Sequence, residues 1–218
     1  MRGKRLVAAL TAVMVTVLLT GCESVGDRIG AGNYVRPYSM TKSEKELTQL
    51  LKGDDDYTVI GQFKVEDEYK SIQMGADVYK KGKLSETNDS SFSAPLDSKD
   101  SRSGKVAVVV RDRMVHLAES NGEGMAGSSR DAAISKKASE KDWVESSSEF
   151  TESAKVSDGK KIYLMSLILT DSEQVEGYSP EDIAQHPEKV RDYQYVYLFY
   201  VTFSKDTTEK SADGTDEE

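Results

Sequence analysis

Alternation of apolar and polar residues is the main structural signal in this chain of 218 residues. From Ser71 to Tyr79 the apolar side chains fall on every second position, and Tyr57 to Val65 alternates more loosely. A period of two is typical of half-buried β-strands. Three further runs are apolar on both faces, which predicts strands in the middle of a sandwich: Val106 to Val110, Ile162 to Leu169 and Tyr193 to Phe203.

Turn residues link some of these strands into hairpins. Lys80 to Lys83 indicates a tight turn, and Met114 to Leu117 is placed to pair back on the apolar run that precedes it. Ser146 to Ala154 is a polar candidate edge strand, whereas Ser85 to Gly104 is rich in Ser and Asp and predicts a long loop. About seven strands result. They predict a mainly β fold, an immunoglobulin-like β-sandwich with one or two short helices.

Capping signals predict two short helices. Thr41 and Glu44 have the spacing of a capping box, and leucines recur on one face behind them, at Leu47, Leu50 and Leu51. We expect this amphipathic helix to pack on the domain and to end near Gly53. The second helix has an N-cap at Ser179 followed by a proline at the first helical position, and Pro187 ends it.

The amino terminus has the composition of an export signal. Three basic residues, Arg2, Lys4 and Arg5, precede an apolar run from Leu6 to Leu19. That run is short for a membrane-spanning helix, which needs about 20 apolar residues. Leu19-Thr20-Gly21-Cys22 then resembles the bacterial lipobox. The resemblance implies cleavage between Gly21 and Cys22 and a diacylglyceryl thioether on Cys22; an uncleaved anchor helix is the alternative, and its length argues against it.

These signals divide the chain into four parts. Residues 1–21 are the predicted signal peptide, 22–40 a lipidated flexible tether, 41–204 the β-sandwich domain and 205–218 a disordered acidic tail. We therefore expect a lipid-anchored protein on the extracytoplasmic face of a bacterial membrane. The hairpin from Val78 to Leu84 adds a resemblance to small exported lipoproteins with immunoglobulin-like ectodomains of unassigned activity, and this resemblance implies no functional residues.

The net charge of the chain limits the partners that it can bind, and its cysteine content excludes a disulfide. The chain has 29 Lys and Arg against 38 Asp and Glu, a net charge of −9, and removal of residues 1–21 leaves −12 because that segment holds three basic residues and no acid. An acidic domain repels nucleic acid and anionic lipid headgroups, so the lipid on Cys22 is the expected membrane contact. A single cysteine excludes an internal disulfide.

No motif predicts a catalytic, cofactor or metal site. Gly122 to Gly127 spells G-x-G-x-x-G before a helix expected at Asp131 to Ala138, but the following residues are too polar for the buried strand that a dinucleotide fold requires, which favours a mobile loop. The two histidines, His116 and His186, are far apart in the sequence. Asp54 to Asp56 lacks the alternating ligand spacing of a calcium loop.

The sequence favours a binding or interaction module whose partner is an envelope protein or polymer; it leaves the oligomeric state open. Trp143 and Tyr178 lie in polar surroundings and are candidates for a partner surface, or alternatively pack over the rim of the sandwich. An envelope-directed hydrolase would use carboxylates such as Asp171 or Glu173. Capture of a small ligand is a further alternative, although the chain has no residues left for a second lobe.

Overall fold

The computed structural model describes residues 32–53, 56–85, 91–111, 114–131 and 144–207. These residues form two six-stranded sheets, and the apolar side chains of both meet in one large core. Two short α-helices lie outside the sheets. The mainly β sandwich with one or two short helices is thus confirmed, although the described residues form twelve strands rather than about seven.

The first sheet is antiparallel, and its first strand along the chain is β1 (Tyr34–Pro37), which lies next to the edge strand. Its other strands are β2 (Tyr57–Lys64), β6 (Ser103–Arg111), β7 (Met114–Asn121), β8 (Gly124–Asp131) and β10 (Ala154–Lys155). Their spatial order is β10-β1-β2-β6-β7-β8. The expected hairpin between β6 and β7 is present, with Val110 opposite Val115.

The second sheet contains two of the three runs that are apolar on both faces, Ile162 to Leu169 and Tyr193 to Phe203. Its strands are β3 (Ser71–Lys80), β4 (Lys83–Leu84), β5 (Ser91–Pro95), β9 (Val144–Glu149), β11 (Ile162–Thr170) and β12 (Tyr195–Ser204). The order is β4-β3-β12-β11-β9, and β5 also pairs with β3. The polar strand β9 lies at the edge, as its sequence predicts, but it ends at Glu149, and Ala154 belongs to β10 of the first sheet instead.

Aromatic side chains join the two sheets in the core. The rings of Phe63 on β2 and Phe203 on β12 are 5.4 Å apart between centroids, and Tyr69 meets Phe203 edge to face at 6.4 Å. Phe63 and Phe203 are fully buried. Burying side chains of this size is the main favourable contribution to folding in a domain without a disulfide.

The outer face of the second sheet has a smaller core of its own. Helix α2 (Pro180–Gln185) and a 3₁₀ turn (Pro187–Val190) cover it, so that Ile183 and Val190 are fully buried against β11 and β12. This cover explains why both strands are apolar on both faces. Ser179 caps α2 as predicted, because its hydroxyl accepts the N–H of Asp182 at 3.1 Å.

Helix α1 (Lys42–Leu51) lies beside the outer face of the first sheet and buries none of its residues. Its capping box is confirmed: Thr41 and Glu44 bond each other's backbone N–H groups. The prediction that its leucines pack on the domain is wrong, since Leu47, Leu50 and Leu51 are 58%, 83% and 64% exposed. Capping requires only neighbouring residues, whereas packing requires a complementary surface elsewhere in the fold.

The hairpin between β3 and β4 has the tight turn that the sequence predicts. Lys81 and Gly82 both have positive φ, 51° and 71°, which is the geometry of a two-residue turn matched to the twist of its strands. A side chain at Gly82 would meet the backbone of Arg191 at 2.6 Å. Glycine is therefore required there for space as well as for conformation.

Three segments differ from the sequence-based expectation. Tyr34–Pro37 lies in the predicted tether, yet it forms β1 with Val35 fully buried, so the folded domain begins before Thr41. The predicted loop from Ser85 to Gly104 contains β5 and a 3₁₀ turn at Asp100–Arg102. The glycine motif is not a mobile loop, because its first two residues form the turn after β7 and Gly124 to Gly127 lie within β8.

The glycines of that motif serve strand pairing. A Cβ at Gly127 would lie 2.6 Å from the carbonyl oxygen of Leu117 on the neighbouring strand β7. Asp131 ends β8 and therefore does not begin the predicted helix. The remainder of that predicted helix, up to Ala138, lies outside the described residues, as does the predicted tail beyond Thr207.

Candidate functional site

A surface groove of about 970 Å³ lies between α2 and the segment that joins β10 to β11. We call it the lysine groove, because three lysines line it: Lys155, Lys160 and Lys161. Tyr163 lies at its apolar side, and Glu181 and Gln185 of α2 form part of the opposite wall. Its size and its mixture of apolar and polar groups suit a ligand of drug size or a short polymer segment.

Lys155 ends β10, whereas Lys160 lies on a turn that is attached to the second sheet and Lys161 follows directly. Gly159 has φ of 66°, and its N–H donates to the carbonyl oxygen of Phe203 at 2.9 Å. Asp158 accepts the N–H of Lys205 at 2.9 Å, and the N–H of Lys160 donates to the carbonyl oxygen of Ser157 at 3.1 Å. The two central residues of the turn are therefore attached to Phe203 of β12 and to Lys205 just after it, so the folded sheet fixes the position of Lys160.

Lys161 is held by a polar cluster beside the groove. Its Nζ lies 2.6 and 2.8 Å from the two carboxylate oxygens of Asp77, which is itself only 8% exposed. The same carboxylate accepts the hydroxyl of Tyr163 at 3.1 Å, and the Lys161 ammonium lies 4.3 Å from the ring centroid of Tyr200. Burial, and then the negative charge of Asp77, raise the pKa of Tyr163. Lys161 is thus neutralised within the protein.

Lys155 and Lys160 differ from Lys161 because neither forms an ion pair with any residue that the structure describes. Both are exposed. Glu181 is the carboxylate on the α2 side; although its side chain is exposed as a whole, loss of solvent around the carboxyl group, reinforced by the charge of Glu152, raises its pKa. The ammonium groups of Lys155 and Lys160 and the carboxyl group of Glu181 together determine the charge that the groove presents to a ligand.

The residues singled out from the sequence do not converge on this groove. Trp143, Gly21 and Cys22 lie outside the described residues. Tyr178 is half-buried and packs against the smaller core on the outer face of the second sheet; a hydrogen bond to Glu176 raises its pKa to about 12. Its carbonyl oxygen accepts the hydroxyl of Ser166 at 2.9 Å.

The carboxylates considered for hydrolysis are both exposed, and they lie after β11. Asp171 hydrogen-bonds the side chain of Gln194, and neither Asp171 nor Glu173 lines the lysine groove. The arrangement therefore gives neither a partner within this groove with which to form a catalytic pair.

The histidines and the remaining acidic candidate have local partners. His116 bonds Ser129 at 2.7 Å, and His186 lies 3.3 Å from Glu188. Asp56 is paired with Arg111 at 2.7 Å, while Asp54 and Asp55 are not among the described residues. In the parts of the chain that the structure describes, no three His, Cys, Asp or Glu side chains cluster closely enough to hold a metal ion.

The groove is not evident from the sequence, because residues about 20 positions apart in the chain form its two walls. A signal was nevertheless present: Lys155, Lys160 and Lys161 lie close together in a chain of net negative charge, and Asp158-Gly159 between them marks a turn.

Within the described ranges, no helix is long and apolar enough to cross a membrane.

Comparison with known protein families gives a match. Neither the curated proteins nor the solved structures include a match. The family model that matches is the YgaN domain, over residues 34–203. These limits nearly coincide with the first residue of β1 and the end of β12, so the match spans the whole sandwich. The chain therefore belongs to the YgaN domain family.

Proposed function

We propose that this protein is a lipid-anchored binding module on the extracytoplasmic face of a bacterial membrane, and that its lysine groove binds an acidic segment of an envelope polymer. The binding half of the proposal rests on two ammonium groups beside the groove that form no ion pair with any described residue: Lys155 at the end of β10 and Lys160 on the turn before β11. The lipobox ending in Cys22 carries the anchoring half.

Charge supports this choice of ligand. The chain after residue 21 has a net charge of −12, so it repels polyanions except where basic groups are concentrated. Lys160 and Lys155 provide such a site, and the neighbouring Lys161–Asp77 pair adds no net charge to it. A ligand with repeated carboxylate or phosphate groups would meet both lysines, with sugar or backbone atoms against Tyr163.

The alternatives receive less support. An envelope hydrolase would need two carboxyl groups facing one cleft, and Asp171 and Glu173 are exposed outside the groove. Capture of a small anionic ligand would use the same groove and the same lysines. The two binding hypotheses differ in ligand length, which a titration with fragments of increasing size measures directly.

Binding of defined polyanions tests the groove. We expect polyglutamate or polyglycerol phosphate to bind the wild-type chain, and the double substitution K155E/K160E to weaken binding about tenfold or more, with a loss of affinity at high salt. The matched control is K81E/K83E, which makes the same charge change on the exposed hairpin between β3 and β4. Equal weakening by both double substitutions, or no binding of either polymer, would contradict the proposal.

Mass spectrometry of the protein isolated from membranes tests the anchor separately. The proposal predicts a mature chain that begins at Cys22 and carries acyl groups there. An unmodified Cys22, or a chain that keeps residues 1–21, would exclude the lipid anchor without affecting the result for the groove.

A further inference from the structure

Helix α1 has an apolar side that nothing in the described structure covers. Leu47, Leu50 and Leu51 recur at helical spacing and are all more than half exposed. By the same spacing, Lys42 and Lys45 fall on the opposite side of the helix from Leu47. A short helix with leucines on one side and lysines on the other is typical of segments that lie in the interface of a bilayer.

Contacts with the domain fix the orientation of α1 and leave the leucines outside. Glu44 accepts the hydroxyl of Tyr38 at 2.7 Å, and Lys105 of β6 lies 3.4 Å from the same carboxylate. At the other end, Arg111 of β6 donates to the carbonyl oxygen of Leu51. The helix is therefore attached along β6 by polar groups at both ends, while its apolar side remains accessible.

The position of the lipid anchor decides what covers this side. Twelve residue steps separate Cys22 from Tyr34, and they can span at most roughly 40 Å. Tyr34 lies opposite Lys64, at the far end of β2 from the Arg111 side, and a strand of eight residues is about 26 Å long. A chain anchored at Cys22 can therefore bring α1 onto the same bilayer.

The small exposed area of the three leucines also favours a bilayer over a protein as the partner that covers them. Three leucine side chains expose on the order of 300 Å², whereas a stable protein interface buries about 800 Å² on each partner. An anchored helix needs much less, because the anchor holds it at high effective concentration beside the membrane. We propose that the leucine side of α1 docks onto the lipid bilayer that holds the Cys22 anchor, an inference that rests on the proposed lipidation.

Hydrogen exchange on reconstituted protein tests this docking. The full chain is expressed in bacteria, the lipidated protein is isolated from membranes and placed in phosphatidylcholine vesicles, and exchange of the amides of Lys42–Leu51 is followed by mass spectrometry. We expect α1 amides to exchange about tenfold faster in L50Q than in the wild type. Glutamine keeps the helix propensity of leucine closely, so this difference reports lost docking rather than lost helix.

The matched control is L84Q on β4, because Leu84 is as exposed as Leu47 but lies in the second sheet. It should leave α1 exchange unchanged. Equal exchange in the wild type and L50Q, with acylated Cys22 confirmed by mass, would overturn the docking alone. Protection that rises with the number of proteins per vesicle would overturn it in favour of a second copy. Absence of lipid on Cys22 would remove the proposed anchor and this inference together, while polyanion binding is measured independently.

Discussion

The two helices of this domain have similar N-terminal caps but differ in how far their side chains are buried. Both have a hydroxyl residue as N-cap, Thr41 for α1 and Ser179 for α2, and both have an acidic residue in the first turn. Helix α1 is the longer one, with ten residues against six, yet it buries none of them. Helix α2 is shorter than an isolated helix could be in water, and Ile183 within it is fully buried.

The difference shows that capping and docking are separate properties. Helix α2 covers a face of the second sheet that is itself apolar, and with it forms the smaller core and one wall of the lysine groove. Helix α1 lies beside a sheet face whose contacts to it are polar, through Tyr38, Lys105 and Arg111. We infer that α2 stabilises the fold of the domain, whereas α1 contacts the surroundings of the domain.

The largest expected effect comes from truncating the buried residue of α2. I183A should lower the free energy of unfolding by about 2–5 kcal/mol, because it leaves a cavity against β11 and β12. L50A on α1 should change it by less than about 0.5 kcal/mol, since Leu50 is 83% exposed. Urea unfolding of the two variants measures both values, and a similar loss in L50A would break the comparison.

Substitution of the N-cap residues should also destabilise the two helices to different extents, with smaller effects than I183A. S179A should lower the free energy of unfolding by about 1 kcal/mol, because α2 is part of a cooperative core. T41A should leave global stability nearly unchanged and speed hydrogen exchange within α1. Equal effects of both caps on urea unfolding would show that α1 is coupled to the core after all.

The pKa values of the two first-turn glutamates, Glu44 in α1 and Glu181 in α2, should be shifted in opposite directions. The N–H of Thr41, followed by the hydroxyls of Tyr38 and Thr41, lowers the pKa of Glu44 to about 2, whereas loss of solvent raises the pKa of Glu181 above its ordinary value. NMR titration of the two carboxyl carbons measures both values. A pKa of Glu44 near 4.5 would contradict the capping geometry of α1.

Their effects on stability should therefore have opposite signs. The contribution of Glu44 to α1 is present above the unfolded pKa near 4.5 and is lost as pH falls towards 2, so α1 amides should exchange faster in that window. The contribution of Glu181 is present below its unfolded pKa and is lost as pH rises through its raised folded pKa. E44Q and E181Q should each remove the corresponding dependence.

Local signals in the sequence predicted the parts of the fold that local chemistry determines. The turn at Lys81-Gly82 and the caps at Thr41 and Ser179 depend on neighbouring residues alone. Strand β1 was missed because only Val35 among its four residues is fully buried, which gives too short an alternation to recognise. Strand β8 was missed because its glycines indicate a loop, although Gly127 is needed for close approach to β7.

The functional surfaces depend on contacts that the sequence does not show. The amphipathic pattern of α1 predicts an apolar side but does not specify whether the domain or the bilayer covers it. The lysine groove requires the turn before β11 and helix α2 to lie on either side of one space, and the turn is held there by a long-range hydrogen bond from Gly159 to Phe203 of β12. Of the lining residues, Lys160 and Lys161 were visible only as charges beside a turn.

Site-specific photocrosslinking in the cell envelope tests the proposed function most directly. A photoreactive residue is placed at Gln185, which lines the groove from α2 and leaves both lysines in place, or at Lys83 on the exposed hairpin between β3 and β4. The full-length chain is irradiated in whole cells, and the products are identified by mass spectrometry. We predict an adduct with an acidic envelope polymer from position 185 and none from position 83. Capture of the same material from both positions, no capture from position 185, or a single recurrent protein there in place of a polymer would contradict the account.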